Sequence, residues 1–362
     1  MKILVLMKRF STNKDTVKEN FGRQIRLFEN LKKYGHDVDF FCPDYVLKEN
    51  KIYTINGLKF YIVPANIFNP FFFLLNLRKL VKKNNYDLIA ATTDPILGIM
   101  GYFFCKLYKI PYLYEVQDNY EIYGSSKIPF VKFLDKVAVK NSDFILYSNY
   151  SLKNKLLNIR NKNYAIIENG IDIELFKPIN REKCRKDLKL KKNAKIITYI
   201  GHISRYKGVE VLLKAFRKMR EKDKNLCLLL SGKIDKDMDI GTPGIIFREF
   251  LRRIEVVKAL NASNVLVLPS TTNEFAKYCF PYKLFEYMAC NVPIVATEVG
   301  DVGIILKRYK NSLCKPNNTD DLIKKIKIQL KNKKIDYRKT AKQFTWEKLS
   351  KKLDRIVTKI RK

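Results

Sequence analysis

Residues 199–216, YIGHISRYKGVEVLLKAF, decide the fold of the second half of this chain. An apolar strand ends at Gly201, a short polar loop follows, and an amphipathic helix begins after Gly208. Parallel α/β sheets use such strand–loop–helix units, and they bind ligands beyond the carboxyl ends of the strands. The helix N-terminus favours a phosphate group, and Arg205 and Lys207 add full positive charges. We therefore predict a phosphate site in this loop, with a solvated basic loop as the alternative.

Strand and helix signals alternate in the same way along the whole 362-residue chain. Strands are predicted at 3–7, 37–42, 88–91, 112–116, 143–148 and 165–168, and again at 196–200, 227–231, 265–269 and 294–296. Nearly continuous apolar strands separated by helices predict parallel sheets covered on both faces. The alternation of strand and helix signals is interrupted at 176–178. We therefore expect an α/β protein with two Rossmann-like, doubly wound domains, residues 1–178 and 179–345.

Composition narrows the function classes. Lys and Arg number 71 against 36 Asp and Glu, a net charge of +35, which suggests a nucleic acid, an anionic membrane face or a phosphorylated ligand as partner.

His36 and His202 are the only histidines, so a His-rich zinc site is impossible. The seven scattered cysteines contain no CxxC pair and are expected to be core thiols. Without an apolar run of about 20 residues, a cytoplasmic protein is expected, soluble or peripheral to the membrane.

A second informative segment is 281–297, PYKLFEYMACNVPIVAT. Lys283 and Glu286 are three residues apart near the start of a predicted helix, so they share one face. A carboxylate there can accept two hydrogen bonds from a vicinal diol such as a ribose, and the alternative is that Glu286 complements the helix dipole. Gly300, shortly after the next strand, allows close backbone approach.

These two motifs, G-x-I-x-x-x-K-G and P-x-K-L-F-E-Y-M-A-x-x-x-P-I-V-A-T in that order, resemble the retaining glycosyltransferases of family four, which have the GT-B fold. Further similar segments are YGHDV at 34–38, KIPYLYEVQD at 109–118, IENGIDIELFKP at 167–178 and FTWEKLSKKL at 344–353. The resemblance implies two domains facing a cleft, the first for the acceptor and the second for a nucleotide-sugar. It also implies a terminal helix, 346–362, that returns to the first domain.

Residue roles follow from the same resemblance. It implies that Lys207 holds the donor diphosphate, that Glu286 holds the ribose, and that Gly22 lies over the phosphates and the acceptor. Gln117 stands where the family commonly has a histidine near the reacting carbon, and a glutamine can hydrogen-bond but cannot exchange a proton near neutral pH. The predicted catalytic residues are Lys207, Glu286 and Gln117, and the predicted donor-binding residues are Gly22, Gly201, His202, Arg205, Lys207, Lys283, Glu286 and Gly300.

In the second half of the chain, two positions depart from the family pattern. Tyr278 replaces the first glutamate of the family's E-x7-E pair. His202 replaces the arginine that usually follows the Gly201 equivalent, so Arg205 is predicted as the second phosphate cation.

The predicted reaction moves a sugar from a nucleotide-sugar to a hydroxyl of a glycan or lipid-linked acceptor, in cell-surface polysaccharide or glycolipid synthesis. The resemblance implies no required metal, and no cofactor is predicted besides the donor substrate. One alternative is a non-catalytic basic protein that binds nucleic acid, although no helix-turn-helix, zinc-finger or RNP-like motif is present. The other is a GT-B nucleotide-sugar epimerase.

The phenylalanine-rich run 69–80, NPFFFLLNLRKL, has two interpretations. The favoured one is a helix that packs its apolar side chains into the core. The other is a helix on an anionic membrane surface, with phenylalanines outward and basic residues near the headgroups. Those basic residues are Arg78, Lys79, Lys82 and Lys83.

Overall fold

The computed structural model describes residues 1–11, 14–66, 70–332 and 336–360. The chain forms two compact units: unit 1 is Met1–Gly170 with Trp346–Lys362, and unit 2 is Ile171–Thr345. The predicted boundary at residue 178 lies further along the chain than this division. Ile171 and Phe176 belong to unit 2 because both side chains are buried in one of its apolar cores.

Unit 1 is built on one large sheet. Its strands are β1 (Lys2–Leu6), β2 (Phe10–Ser11), β3 (Lys14–Asp15), β4 (Asp37–Asp44), β5 (Lys51–Ile55), β6 (Leu58–Pro64), β7 (Leu88–Ala91), β8 (Tyr112–Val116), β9 (Phe144–Tyr147) and β10 (Tyr164–Ile166). Its first five helices are α1 (Arg23–Glu29), α2 (Pro70–Asn84), α3 (Pro95–Tyr108), α4 (Val131–Asn141) and α5 (Tyr150–Leu156). The sheet order is β10-β9-β8-β7-β1-β4-β6-β5, parallel except for β5, while β2 and β3 pair separately.

Unit 2 repeats the architecture with a smaller sheet. Its strands are β11 (Lys195–Ile200), β12 (Leu226–Ser231), β13 (Ile245–Phe247), β14 (Val265–Leu268), β15 (Ile294–Thr297) and β16 (Leu313–Cys314). Its helices are α6 (Arg181–Asp187), α7 (Val209–Lys222), α8 (Arg253–Ala262), α9 (Glu274–Tyr278), α10 (Tyr282–Cys290), α11 (Asp301–Leu306), α12 (Thr319–Lys331) and α13 (Tyr337–Ala341). All six strands are parallel in the order β13-β12-β11-β14-β15-β16, the doubly wound order. The predicted fold class of two parallel-sheet α/β units is confirmed.

The last helix, α14 (Trp346–Ile360), belongs to unit 1. Its Ser350 hydroxyl donates to the carbonyl of Leu27 in α1 at 2.7 Å. Gly170 is needed at the start of this contact, because a β-carbon there would lie 2.3 Å from the Trp346 ring. The glycine of the segment 167–178 thus has a packing explanation.

The fold adds to the sequence expectations at two places. The hairpin of β5 and β6 was not predicted, although its turn residues Asn56 and Gly57 both adopt positive φ, 52° and 72°, as a tight N-G turn requires. In α2, Phe73 and Leu77 are buried as the favoured interpretation predicts, whereas Phe71 and Leu75 are exposed. Asn69 of that run lies outside the described residues. Among the described helices, none combines the length and apolarity needed to cross a bilayer.

Candidate active site

The site in unit 2 lies where the sheet changes direction. The strands β11 and β14 are neighbours in the sheet. From β11 the chain continues toward one edge of the sheet, and from β14 it continues toward the other edge. The loops that follow these two strands therefore diverge and leave room for a ligand. Gly201 directly follows β11, and the loop of His202, Arg205 and Lys207 continues from it. The Ser204 hydroxyl accepts from the Lys207 backbone N–H at 3.2 Å and so caps the turn that carries the lysine. The first predicted motif is therefore at the sheet's ligand-binding end.

Lys283 reaches from the start of α10 into this loop. Gly201 has φ +148°, and a β-carbon on it would lie 1.8 Å from the Lys283 Nζ, so the ammonium occupies space that only glycine leaves open. The ammonium also lies 5.2 Å from the centre of the Tyr199 ring. Burial lowers the pKa of Lys283 to about 8, with a further lowering by Lys207 and an opposing effect of Glu286. A recessed cation beside a second cation is stabilised by a bound anion.

Glu286 stands one turn further along α10. Burial raises the pKa of its carboxyl group, while the positive charges of Arg253 and Lys283 oppose this rise. Among the described residues, none makes a hydrogen bond to the Glu286 carboxylate. Since α10 begins at Tyr282, Glu286 lies in the second turn, beyond the reach of the helix dipole. The dipole alternative is therefore not supported, and the carboxylate remains available to a ligand.

Lys207 packs on an aromatic side chain. Its Nζ lies 3.4 Å from the centre of the Phe275 ring, which belongs to the short helix α9. Its charge acts on Lys283, so the two lysines form one positive region. A cation over an aromatic face is attracted by the ring, which restricts its position. The structure therefore brings Gly201, Lys207 and Lys283 together.

The two other loop residues are engaged by acidic side chains. The Arg205 Nε lies 3.0 Å from Asp237, and the arginine side chain is 62% exposed. The His202 Nε2 lies 2.6 Å from Asp235. The structure thus places Lys283 beside Lys207, whereas Arg205, predicted as the second phosphate cation, is paired elsewhere.

Gly300 follows β15 and directly precedes α11. A β-carbon on it would lie 2.5 Å from the carbonyl oxygen of Lys277, so the glycine lets this loop pack against α9. Tyr278, the replacement for the family's first glutamate, ends that same helix. Gly300 therefore helps to place α9, and with it Phe275, at the site.

The other two predicted residues lie in unit 1. Gly22 directly precedes α1. The next residue, Arg23, is buried: its Nε donates to the Glu115 carboxylate at 2.8 Å, and its two terminal nitrogens donate to the backbone carbonyls of Ile167 and Glu168, each at 2.6 Å. The guanidinium of Arg23 thus makes its hydrogen bonds inside unit 1.

Gln117 follows β8 and joins this buried group. Its Nε2 donates to Glu115 at 2.8 Å and also to the Thr92 hydroxyl just after β7. Glu115 and Thr92 are completely buried. Gln117 is held at the carboxyl ends of two neighbouring strands, where unit 1 is expected to bind its ligand.

Four contributing residues were not identified from the sequence: Arg23, Thr92, Arg253 and Phe275. Their partners are distant in the chain, so local spacing carries no signal for them. Glu115 was also missed, but a single charge within the apolar strand YLYEV is a signal that could have found it. In the part of the chain that the structure describes, no cluster of three or more His, Cys, Asp and Glu side chains could hold a metal ion.

Comparison with known proteins agrees with this geometry. Residues 25–175 match the family model "Glycosyltransferase Family 4", and residues 180–347 match "Glycosyl transferases group 1". An uncharacterized glycosyltransferase of Methanocaldococcus jannaschii is 26% identical over 339 residues, 88% of this chain and 90% of that protein. The capsular polysaccharide biosynthesis glycosyltransferase CapM of Staphylococcus aureus is 24% identical over 309 residues, 77% of this chain and 79% of CapM.

A solved structure supports the fold. HepE of Anabaena, determined in complex with UDP, superposes with a TM-score of 0.73 at 16% identity, covering 99% of this chain and 100% of HepE. The protein belongs to the family four glycosyltransferases and has the GT-B fold. It is thus an enzyme, and neither the nucleic-acid-binding nor the epimerase alternative is favoured.

Proposed function

We propose that this glycosyltransferase transfers a sugar from a nucleotide-sugar to a hydroxyl of a glycan or lipid-linked acceptor, with retention of the anomeric configuration. The observation that carries the proposal is the group of Lys207, Lys283 and Glu286 in unit 2. The charges of Lys207 and Glu286 both act on the recessed ammonium of Lys283, and the Glu286 carboxylate has no hydrogen-bond partner among the described residues. A nucleoside diphosphate offers the matching chemistry, an anion and a ribose diol.

The role of the lysines follows from the charge that develops in the reaction. As the glycosidic bond to the diphosphate breaks, negative charge grows on the leaving group. Fixed cations stabilise that charge more in the transition state than in the ground state. Lys207 and Lys283 perform this task in the proposal, without a required metal ion. The acceptor hydroxyl attacks from the side of the departing diphosphate, which gives retention.

Glu286 holds the nucleoside. Its two carboxylate oxygens accept hydrogen bonds from the 2′- and 3′-hydroxyls of the ribose. Arg253 and Lys283 favour the ionised form that this requires. Unit 1, with Gly22, binds the acceptor in the proposal. Relatives such as CapM support a role in cell-surface polysaccharide synthesis.

A thermal-shift screen with UDP, GDP and ADP tests the donor site. A nucleotide at 100 times its Kd adds about 2.7 kcal/mol of stability, which is readily measured. We expect one base to be preferred, and its 2′-deoxy diphosphate to bind less tightly. Glu286→Ala should abolish the difference between ribose and deoxyribose. Glu221→Ala, at an exposed site in the last turn of α7, is the matched control. If no nucleotide stabilises the wild type, the donor site proposed here is wrong.

We also propose that α2 of unit 1 attaches the enzyme to an anionic lipid surface, where a lipid-linked acceptor resides. Phe71 and Leu75 are 73% and 54% exposed one turn apart, and the exposed basic residues Arg78, Lys79 and Lys82 follow on the helix. Aromatic side chains beside lysines favour the boundary between headgroups and acyl chains.

Vesicle co-sedimentation tests this attachment. Binding to phosphatidylcholine vesicles should increase when about one third of the lipid is phosphatidylglycerol, and it should decrease with salt. Phe71→Ser should weaken binding, whereas Phe247→Ser, at an exposed position of β13 in unit 2, should not. Equal binding of both variants and the wild type would exclude α2 as the attachment site.

A further inference from the structure

Exposed apolar side chains of unit 1 are not confined to α2. Phe103 and Leu107 are exposed one turn apart on α3. Phe133 is exposed on α4, and Phe130, which directly precedes that helix, is 78% exposed. Large exposed apolar surface marks a site of contact with another protein or with a membrane. The position of these helices on the sheet shows which of them can contact the same partner.

The helices α2, α3 and α4 cover the same face of the sheet. Residues paired across neighbouring strands point to one face, and one such row is formed by Phe41, Leu6, Ala91 and Tyr114. At one end of the row, the Phe41 ring packs on Phe73 of α2, with ring centres 5.0 Å apart. At the other end, a β-carbon on Gly98 of α3 would lie 2.2 Å from the Tyr114 ring. The Tyr114 hydroxyl donates to Asp135 of α4 at 2.5 Å.

The opposite face of the sheet is covered by α1 and α14. The next row of paired residues includes Val5 and Phe40, and these share a core with Ile25 of α1 and Leu353 of α14. All residues of α1 and α14 are described, and neither helix carries an exposed large apolar side chain. The exposed apolar surface therefore belongs to one side of unit 1.

The charges on that side are almost all positive. Four basic residues lie in α2, one in α3 and three in α4, whereas Asp135 is the only acidic residue in these helices. Its hydrogen bond with Tyr114 directs the carboxylate toward the sheet. The exposed basic residues of α3 and α4 are Lys106, Lys132, Lys136 and Lys140, of which Lys136 lies 3.7 Å from Glu121 in the preceding loop. Apolar side chains among lysines match an anionic bilayer, because rings enter the acyl boundary while ammonium groups remain at the headgroups.

The backbone of Phe130 gives an independent indication. Its φ of 64° lies in the left-handed region, which is unfavourable for a bulky side chain. The mostly exposed ring gains little from packing inside unit 1. Backbone strain that the fold does not require is typical of residues that serve binding.

We propose that the outer surfaces of α2, α3 and α4 form one helical face that lies flat on an anionic lipid bilayer. The inference rests on the proposed attachment through α2 and extends it across the sheet. A face of three helices fixes the orientation of unit 1, which a single helix does not. The sheet then lies parallel to the bilayer, so the carboxyl ends of its strands open along the membrane surface. An acceptor held at the membrane by a lipid fits this orientation better than a soluble glycan does.

Tryptophan fluorescence measures which side contacts lipid. The probes are Phe71→Trp on α2, Leu107→Trp on α3 and Phe133→Trp on α4, with Lys351→Trp at an exposed position of α14 as the control on the opposite side. Each variant keeps Trp346, the only tryptophan of the chain, whose emission the wild type measures. The vesicles contain phosphatidylcholine with about one third phosphatidylglycerol, and bromine on the acyl chains quenches nearby indoles. We expect quenching in the first three variants and none in Lys351→Trp or the wild type.

The outcomes separate this inference from the attachment on which it rests. Quenching of Phe71→Trp alone would keep the attachment through α2 and overturn the helical face. Without quenching in any variant, both proposals are wrong. Quenching of Lys351→Trp to the same extent would show that no side is preferred and would also reject the face. A wild-type dimer in sedimentation velocity without lipid, dissociated by Phe133→Ser, would identify a second copy as the partner instead.

Phe130→Asn separates lipid binding from folding. Asparagine adopts the left-handed conformation more readily than phenylalanine, so the unfolding midpoint should be equal to or higher than that of the wild type. Loss of the ring should weaken binding to the same anionic vesicles by about fivefold or more. Lys189→Asn is the control, because Lys189 is an exposed residue of unit 2 with a φ of 49°. It should leave vesicle binding unchanged. A lower midpoint with unchanged binding in Phe130→Asn would show that the ring serves the fold, and this would contradict the proposal.

Discussion

Units 1 and 2 both place charged residues near the carboxyl ends of central strands, but they treat those charges differently. In unit 1, Arg23 and Glu115 are paired with each other, and each makes further hydrogen bonds to neighbouring groups. In unit 2, Lys283 and Glu286 are recessed without a hydrogen bond to another described residue. A buried polar group that is hydrogen-bonded within the protein stabilises the fold. A polar group without a hydrogen-bond partner can instead bind a ligand. Substitutions in unit 1 should therefore change stability, and those in unit 2 should change binding and catalysis.

The largest effect is expected for Arg23→Met. Removing one partner leaves the Glu115 charge buried and unpaired, which costs about 3–5 kcal/mol of the free energy of unfolding. Urea unfolding followed by circular dichroism measures this loss. Arg26→Met is the control, because its pair with Glu29 is partly exposed at 3.0 Å and should contribute less than about 1 kcal/mol. Equal losses in the two variants would show that the buried network does not stabilise unit 1.

Lys207→Ala should mainly change catalysis. Loss of one group that stabilises charge in the transition state costs about 2–4 kcal/mol, a decrease in kcat/KM of roughly 30- to 1000-fold. The unfolding midpoint should stay close to that of the wild type. Lys222→Ala, at the exposed end of α7, serves as a control for the loss of a positive charge. Near-normal turnover in Lys207→Ala would remove this residue from the proposed mechanism.

The pH dependence of nucleotide binding follows from Lys283. Because its pKa is lowered to about 8, the ammonium loses its proton as the pH rises above that value. The affinity for UDP, or for the diphosphate that the screen selects, should fall by about fivefold between pH 8 and pH 9. Isothermal titration calorimetry measures this slope. Lys283→Gln should bind more weakly and show no slope in this range; a slope that persists in the variant belongs to another group.

The same lysine affects stability with the opposite sign. Its folded pKa lies below the ordinary value of 10.5, so between pH 8 and 10.5 the unfolded chain holds the proton more tightly than the folded chain. Its contribution to the free energy of unfolding therefore rises with pH over that range. The difference between the wild type and Lys283→Gln isolates this contribution.

Arg205→Gln should have the smallest effect. The side chain is mostly exposed and already paired with Asp237, so its loss should reduce diphosphate affinity by less than about fivefold. Competition binding gives the diphosphate affinities of Arg205→Gln and Lys283→Gln, and their comparison ranks the two residues. A loss as large as that of Lys283→Gln would return Arg205 to the role of second phosphate cation that the sequence suggested.

The fold could largely be predicted from the sequence, because buried parallel strands are apolar over their whole length and leave a clear pattern. The predicted strand 112–116 coincides with β8, and 88–91 coincides with β7. The hairpin of β5 and β6 was missed although Asn56–Gly57 signals it. In α2 the helix was predicted, but the division between its buried and exposed phenylalanines depends on what packs against it.

The candidate site could likewise be predicted only where its residues are close together in the chain. Lys283 and Glu286 could be paired from the sequence, because residues three apart in a helix share a face by local geometry alone. Two contacts could not be predicted: that of Lys283 with Gly201, and that of the Lys207 ammonium with the Phe275 ring. Each joins segments more than 60 residues apart.

The sequence by itself determined the two parallel-sheet units, the family and the residue types that can bind a diphosphate and a ribose. Periodicity and short motifs are properties of neighbouring residues, so they can be recognised without a structure. Only the tertiary structure decided that Lys283 rather than Arg205 stands beside Lys207, and that the buried Glu115 accepts hydrogen bonds from both Arg23 and Gln117. Those outcomes depend on burial and on hydrogen bonds between distant strand ends, which exist only once the chain has folded.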